Sequence, residues 1–177
     1  MIINVRQETE SDHTAIANVI IDAYKDVGYS NKREQFMVER LRKSSSFILE
    51  LSLVAEDDHG NIVGHILLTK IHIQNQDQSY EGLALAPVSI KPAYQNQGIG
   101  SALIRQSHSI AKDLGYTYIV VLGHAKYYPK FGYELTSNYT ISIPIKVAEA
   151  NCMIIALTES GLSGVTGMVT YPGEFFE

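Results

Sequence analysis

The sequence predicts an α+β fold: one domain built on a mixed central β-sheet flanked by helices. Three observations lead there. The first two patterned segments repeat their apolar residues at helical spacing, the period falls to two from about residue 51, and a strand–helix–strand unit occupies residues 80–122. A length of 177 residues with 45% hydrophobic and 19% charged side chains suits a single core-bearing domain. No repeat, low-complexity tract or Pro/Gly/Ser-rich linker divides the chain, so residues 1–177 are read as one domain.

Residues 2–6 read as a first strand. Asp12 is placed to N-cap a helix that carries Ile16, Val19, Ile20, Ala23 and Tyr24 on one face. A second helix is expected over residues 32–43, with Met37, Val38 and Leu41 inward and Phe36 at the margin. Residues 51–56 and 62–73 then form a hairpin around Asp57-Asp58-His59-Gly60-Asn61. Residues 80–90 are strand-like, but Pro87 cannot donate to a ladder and marks an edge or a bulge. A helix follows over residues 98–114, stopped by Gly115. Residues 117–122 are a short apolar strand and residues 125–131 a small helix, and residues 139–145 and 152–157 read as further antiparallel sheet.

Composition narrows the function. A net charge of −5 gives no general attraction to nucleic acid or to an anionic membrane, so a polyanionic ligand must be held by local geometry. Cys152 stands alone, which excludes an intramolecular disulfide and a Cys-based zinc site, and the six histidines show no metal-ligand spacing. The first residues carry charge where a signal peptide needs an apolar run, and no apolar stretch is long enough to span a bilayer. A cytoplasmic location is therefore expected.

The chemistry is concentrated in Ser89-Ile90-Lys91-Pro92-Ala93-Tyr94-Gln95-Asn96-Gln97-Gly98-Ile99-Gly100-Ser101, where a strand feeds a polar turn that opens into an amphipathic helix. The first N–H groups of such a helix have no intrahelical partner, and with the helix dipole they form an anion site suited to a pyrophosphate. Gly98 and Gly100 let backbone approach the oxygens. The dinucleotide fingerprint fails because Leu103 stands where its third glycine belongs, and no Gly-Lys-Ser/Thr ends a Walker loop.

What remains, Gln95-Asn96-Gln97-Gly98-Ile99-Gly100 after a strand, resembles the acetyl-CoA pyrophosphate segment of the GNAT N-acetyltransferases. A second stretch, Tyr127-Tyr128-Pro129-Lys130-Phe131-Gly132-Tyr133, is similar to the family's aromatic-Tyr-x-x-Phe-Gly-aromatic segment. Residues 51–56, 62–66, 122–124 and the tail with Tyr171-Pro172 extend the likeness to the YhbS-like branch of GNAT proteins over nearly the whole chain.

The resemblance implies a GNAT-type domain with splayed fourth and fifth strands, and direct transfer of acetyl from acetyl-CoA, a cosubstrate, to an amine. On that reading Ser89, Ile90 and Gln95 through Ser101 bind the cofactor, the Ile90 N–H also faces the oxyanion, and Tyr128 protonates the departing thiolate. Some relatives have a glutamate in mid-strand as base, where this chain has Leu83-Ala84-Leu85-Ala86. His124 is the candidate in its place, because an imidazole titrates near neutral pH, with Glu81 acting through water as the other. His65 reads as a core or groove histidine. A non-catalytic CoA-binding protein and a ligand-free interaction module are the rival readings. The acceptor stays open between small-molecule and peptide amines, as do acyl-chain length and homodimerisation.

Overall fold

The change of period near residue 50 separates helical from sheet segments in space as well as in sequence. In the computed structural model, which describes residues 1–176, β1 (Asn4–Gln7) leads through a 3-10 turn into α1 (His13–Tyr24) and α2 (Glu34–Arg42). The sheet then continues with β2 (Phe47–Glu56), β3 (Ile62–Gln74) and β4 (Ser79–Ile90). After α3 (Ile99–Asp113) come β5 (Tyr118–Leu122), β6 (Glu134–Leu135), β7 (Ile141–Ser142), β8 (Cys152–Ala156) and β9 (Gly167–Thr170).

The main path of the sheet runs β1-β2-β3-β4-β5-β8-β6, antiparallel except where β4 meets β5, and off it β7 pairs parallel with β9. The far end of β3 outruns β2, and there β9 takes over its ladder, with Ile73 opposite Val169. α3 covers one face through Ile99, Leu103, Ile104 and Ala111, against Leu53, Ile66, Leu85 and Val121. α1 and α2 cover the other through Ile16, Val19, Ile20, Val38 and Leu41, against Val54 and Leu67. Each such side chain contributes about 1.5–3 kcal/mol by leaving water, which outweighs the intrinsic propensity of helices this short.

Three expectations are corrected by local chemistry. Asp12 does not cap α1 with its side chain. Its carboxylate accepts from the Thr9 N–H at 2.8 Å and from both Arg6 Nη atoms at 2.8 and 3.0 Å, so the capping box starts at Thr9. α2 starts at Glu34, because Lys32 sits at φ +62° and cannot lie inside a helix. The strand expected over residues 139–145 shrinks to Ile141–Ser142, since Tyr139 ends a 3-10 turn, Thr140 is left-handed at φ +55° and Pro144 lacks a donor.

Where β1 gives way to α1, Glu8 is only 2% exposed and receives Arg42 Nε and Nη2 at 3.0 and 2.9 Å, which ties the end of α2 to β1. His65 on β3 lies beneath this pair, fully buried, with Nε2 3.0 Å from Ser52 Oγ. Burial, reinforced by the Arg42 and His13 charges, lowers the His65 pKa to about 3. His108 on α3, bonded to the Tyr133 hydroxyl at 2.9 Å, is lowered to about 4, chiefly by burial.

In the unfolded chain both imidazoles protonate near pH 6.5, so between about pH 6.5 and 4 the unfolded state binds more protons than the folded one. Stability is therefore full above that window and declines as pH falls through it. His65→Gln should flatten the slope of unfolding free energy against pH there by about one proton. Urea titrations at stepped pH measure this, and an unaltered slope would refute it.

Candidate active site

The sheet opens at one place. β4 pairs with β5 only at Leu83–Ile119 and Ala84–Val120. Directly afterwards the β3–β4 register slips by one residue between Leu68–Leu85 and Ile66–Val88, leaving Ala86 and Pro87 opposite Leu67 alone. This is a bulge, the one setting in which an internal strand accommodates proline. Beyond it β4 stays with β3 and β5 goes on with β8, so the two parallel strands part.

The register also fixes which groups face the gap. The Lys91 N–H donates to the Val63 carbonyl at 2.9 Å. Bonded and non-bonded pairs alternate along an antiparallel ladder, so Ser89, opposite His65, is turned toward β3. Val88 and Ile90 point their N–H and C=O groups toward the opened side. The Ile90 carbonyl accepts from Gln95 Nε2 at 3.1 Å, and its N–H faces the groove.

That groove has a volume of about 1260 Å³. One wall is the start of α3. Gly98 precedes the helix at φ +83°, a left-handed conformation that favours glycine, and Asn96 is left-handed too at φ +60°. The first intrahelical bond runs from the Ala102 N–H to the Gly98 carbonyl at 3.0 Å, so the N–H groups of Ile99, Gly100 and Ser101 come before the helical ladder. Space is open around the Gly98 Cα. Upstream, the Tyr94 hydroxyl donates to Asp57 Oδ2 at 3.1 Å and pins the turn to the β2–β3 hairpin. No acidic residue lines the groove, whereas Lys130 does, among the described residues.

The opposite wall carries His124, Tyr127 and Tyr128. Tyr128 opens a 3-10 turn and is 5% exposed, its ring packed edge-on to Tyr127 and Tyr133. That position requires Gly123, because a Cβ there would lie 2.2 Å from Tyr128 Cε2. The Tyr127 hydroxyl reaches across to α3, 3.1 Å from where a Gly100 Cβ would stand. Burial, with the neighbouring Tyr24, Tyr127 and Tyr29, pushes the Tyr128 pKa well up, so its hydroxyl keeps its proton. Exposed His124 places Nε2 3.3 Å from the Tyr29 hydroxyl, joining the α1–α2 connection to the end of β5.

Of the residues singled out in the sequence, Ile90, Gln95, Asn96, Gly98, Ile99, Gly100, Ser101, His124 and Tyr128 all line this one groove. Ser89 and Gln97 lie off it. Ser89 is 1% exposed on the α1 side of β4, and Gln97 is exposed with Nε2 bonded to the Ala93 carbonyl at 3.1 Å. Sequence reasoning missed Val88, which strand alternation from Ile90 would have found. It also missed Tyr24, Tyr29 and Asn151, which reach the groove from distant parts of the chain with no local signature.

Residues 49–135 match the model of the acetyltransferase (GNAT) domain. The chain is 33% identical over 164 residues to the uncharacterized N-acetyltransferase YjhQ of Escherichia coli K12, covering 90% of this chain and 87% of that one. The crystal structure of E. coli YhbS in complex with CoA superposes with a TM-score of 0.84 and 26% identity over 98% of this chain and 91% of that chain. A GNAT acetyltransferase from Brucella melitensis, solved with acetyl-CoA, gives 0.80 and 30% over 99% of each. The chain belongs to the GNAT family, the class of acyl-CoA-dependent N-acetyltransferases, and is similar to YhbS over most of its length. No helix among the described residues is long and apolar enough to cross a membrane.

Because Tyr128 is seated by the missing Cβ of Gly123, Gly123→Ala should displace the ring and lower turnover by about 10²-fold, the scale on which small misplacements act. Acetyl-CoA affinity should change far less. Steady-state kinetics beside equilibrium binding separate the two, and full turnover in the variant would show that Tyr128 need not sit where it does.

Proposed function

We propose that this chain transfers the acetyl group of acetyl-CoA to a primary amine, with the groove between β4 and β5 holding the donor. The observation that carries the reading is convergence: a helix start with free N–H groups, strand backbone freed by the Pro87 bulge, and a proton-bearing tyrosine hydroxyl all face one groove. The complexes of similar proteins with CoA and acetyl-CoA support it.

Each part has a task on this reading. The N–H groups of Ile99, Gly100 and Ser101 hold the pyrophosphate, helped by the helix dipole and by the absence of any acid from the groove among the described residues. Val88 and Ile90 bind the pantetheine arm as an added strand would, and the Ile90 N–H stabilises negative charge on the carbonyl oxygen as the amine adds. Tyr128 donates its proton to sulfur as the C–S bond breaks. His124, which lines the donor-side wall, is the candidate the sequence offers for accepting a proton from the amine.

Acetyl-CoA should raise the melting temperature, since a ligand selective for the folded state stabilises it by mass action. Gly98→Val should abolish the shift by filling the open space at the helix start and straining a left-handed position. A melting temperature unmoved by saturating acetyl-CoA in the wild type would overturn the reading.

Tyr128→Phe should lower kcat by about 10²–10⁴-fold, the usual contribution of general acid catalysis, with acetyl-CoA affinity nearly unchanged. Equal turnover of the two proteins, followed by thiol release, would remove the hydroxyl from the mechanism.

A further inference from the structure

On the other side of the gap lies a second cavity, of about 220 Å³. It shares Tyr24, Leu85, Ala86 and Leu122 with the large groove, so the two spaces meet along the parted edges of β4 and β5. Its remaining wall is apolar or aromatic, notably Met37 of α2, Tyr171 and Phe175, with one exception. Glu34, the first residue of α2, is the only carboxylate lining either cavity among the described residues. Its Oε1 is held by the Ser30 hydroxyl. Its Oε2 is buried and has no hydrogen-bond partner among the described residues.

A buried carboxylate oxygen without a donor costs free energy unless something else supplies one. No Lys or Arg among the described residues lines this cavity, so a cation entering it would meet Glu34 as its one charged partner.

We infer that this cavity is the acceptor site, that Glu34 receives the acceptor's ammonium group and takes its proton, and that the acceptor is a compact monoamine with an apolar body and no carboxylate. The inference rests on the acetyl-transfer reading above.

Size, polarity and position each contribute. The volume falls below the roughly 300–1,000 Å³ of ordinary ligand pockets, which favours a compact molecule. Met37, Tyr171 and Phe175 suit a hydrocarbon or aromatic body. An amino acid would bring a carboxylate that no cation meets and that Glu34 repels. The Tyr24 hydroxyl on the shared wall is raised to about 12 by its burial and by the Glu34 charge, so Glu34 acts electrostatically on the wall that both cavities share.

The reaction balances on these groups. An N–H bond of the ammonium breaks and its proton goes to Glu34, freeing the lone pair. The nitrogen bonds to the acetyl carbon and the C–S bond breaks. Sulfur takes the Tyr128 proton, and the nitrogen's second surplus proton restores the tyrosine directly or through water. Glu34 then loses its proton to solvent.

The test is a thiol-release assay with saturating acetyl-CoA on 3-methylbutylamine and 2-phenylethylamine, beside leucine, phenylalanine and a lysine-bearing peptide. The monoamines should be acetylated, and the amino acids and the peptide at least tenfold less well. Glu34→Gln should lower kcat/KM for the accepted monoamine by about 10²–10⁴-fold near neutral pH. The deficit should shrink as pH rises toward the amine's own pKa, because an amine already neutral needs no base. The other titratable groups lining the cavity are Tyr24 of α1 and Tyr171 beyond β9, and neither titrates near neutral pH. A merely structural role for Glu34 predicts a deficit independent of pH, and that result overturns the inference. So does unaltered kcat/KM in Glu34→Gln, loss in His124→Gln alone, preference for the amino acids or the peptide, or failure of both monoamines while acetyl-CoA still raises the melting temperature. In that last case the donor site stands and only the acceptor site falls, whereas an unmoved melting temperature takes both down.

Discussion

Backbone hydrogen bonding in a sheet has to be accounted for group by group, and β4 is the strand where the account is left open. At Leu83 and Ala84 it is bonded on both sides. Pro87 then removes a donor and the bulge around it turns the strand, so the next residues keep β3 as a neighbour and lose β5. Buried N–H and C=O groups rarely stay unpaired, so a sheet opened in its interior must leave them to solvent or to a ligand. The Ile90 N–H faces that opening, while its carbonyl is met by Gln95. Meanwhile β5 compensates on its other side with five paired residues against β8, from Tyr118–Ala156 to Leu122–Cys152, so the gap does not unravel the strand.

The elements around the gap are rigid, and that makes the opening usable. α3 cannot rotate without exposing Ile99, Leu103, Ile104 and Ala111, so its free N–H groups keep one direction. Tyr94 pinned to Asp57 holds the turn before it, and Asn151 holds the segment after β5, with Nδ2 2.9 Å from the Gly123 carbonyl and its own carbonyl 3.0 Å from the Gly123 N–H. Side chains that must sit accurately thus rest on a helix, two strands and pinned turns, which limits the entropy lost when a ligand orders them.

How much of this the sequence disclosed follows from the range of the forces involved. Periodicity and turn chemistry are local, so the helices, the hairpin, the Pro87 irregularity and the helix start at Gly98 could be read directly, and two short motifs pointed to Tyr128 and to the start of α3 as walls of one groove. What the motifs did not disclose is of two kinds. Ser89 and Gln97 sit in the segment but do not line the groove, because the register turns Ser89 toward β3 and the Gln97 side-chain amide bonds the Ala93 carbonyl. Tyr24, Tyr29, Glu34 and Asn151 approach the gap from segments far apart in the chain, and no local pattern encodes such encounters. Glu34 read simply as a residue of the second helix, and only its buried, partnerless oxygen in the folded chain sets it apart.

The two cavities also differ in charge, and the difference bears on how opposite ions can react without trapping each other. A polyanionic donor and an ammonium acceptor attract, and in a shared open site they would pair at the phosphates instead of at the thioester. Here, among the described residues, the large groove has a helix N-terminus, Lys130 and no acid, while the small cavity has one carboxylate and no Lys or Arg. The partition between them is the apolar edge of Tyr24, Leu85, Ala86 and Leu122. Coulombic attraction between exposed charges fades over about 8–10 Å at physiological salt, so local charges decide which side each ion enters, whatever the net charge of −5. On the proposed reading the gap opened at Pro87 serves both ions: it frees strand backbone for the donor, and it gives a neutralised amine a path to the acetyl carbon from the side away from the phosphates.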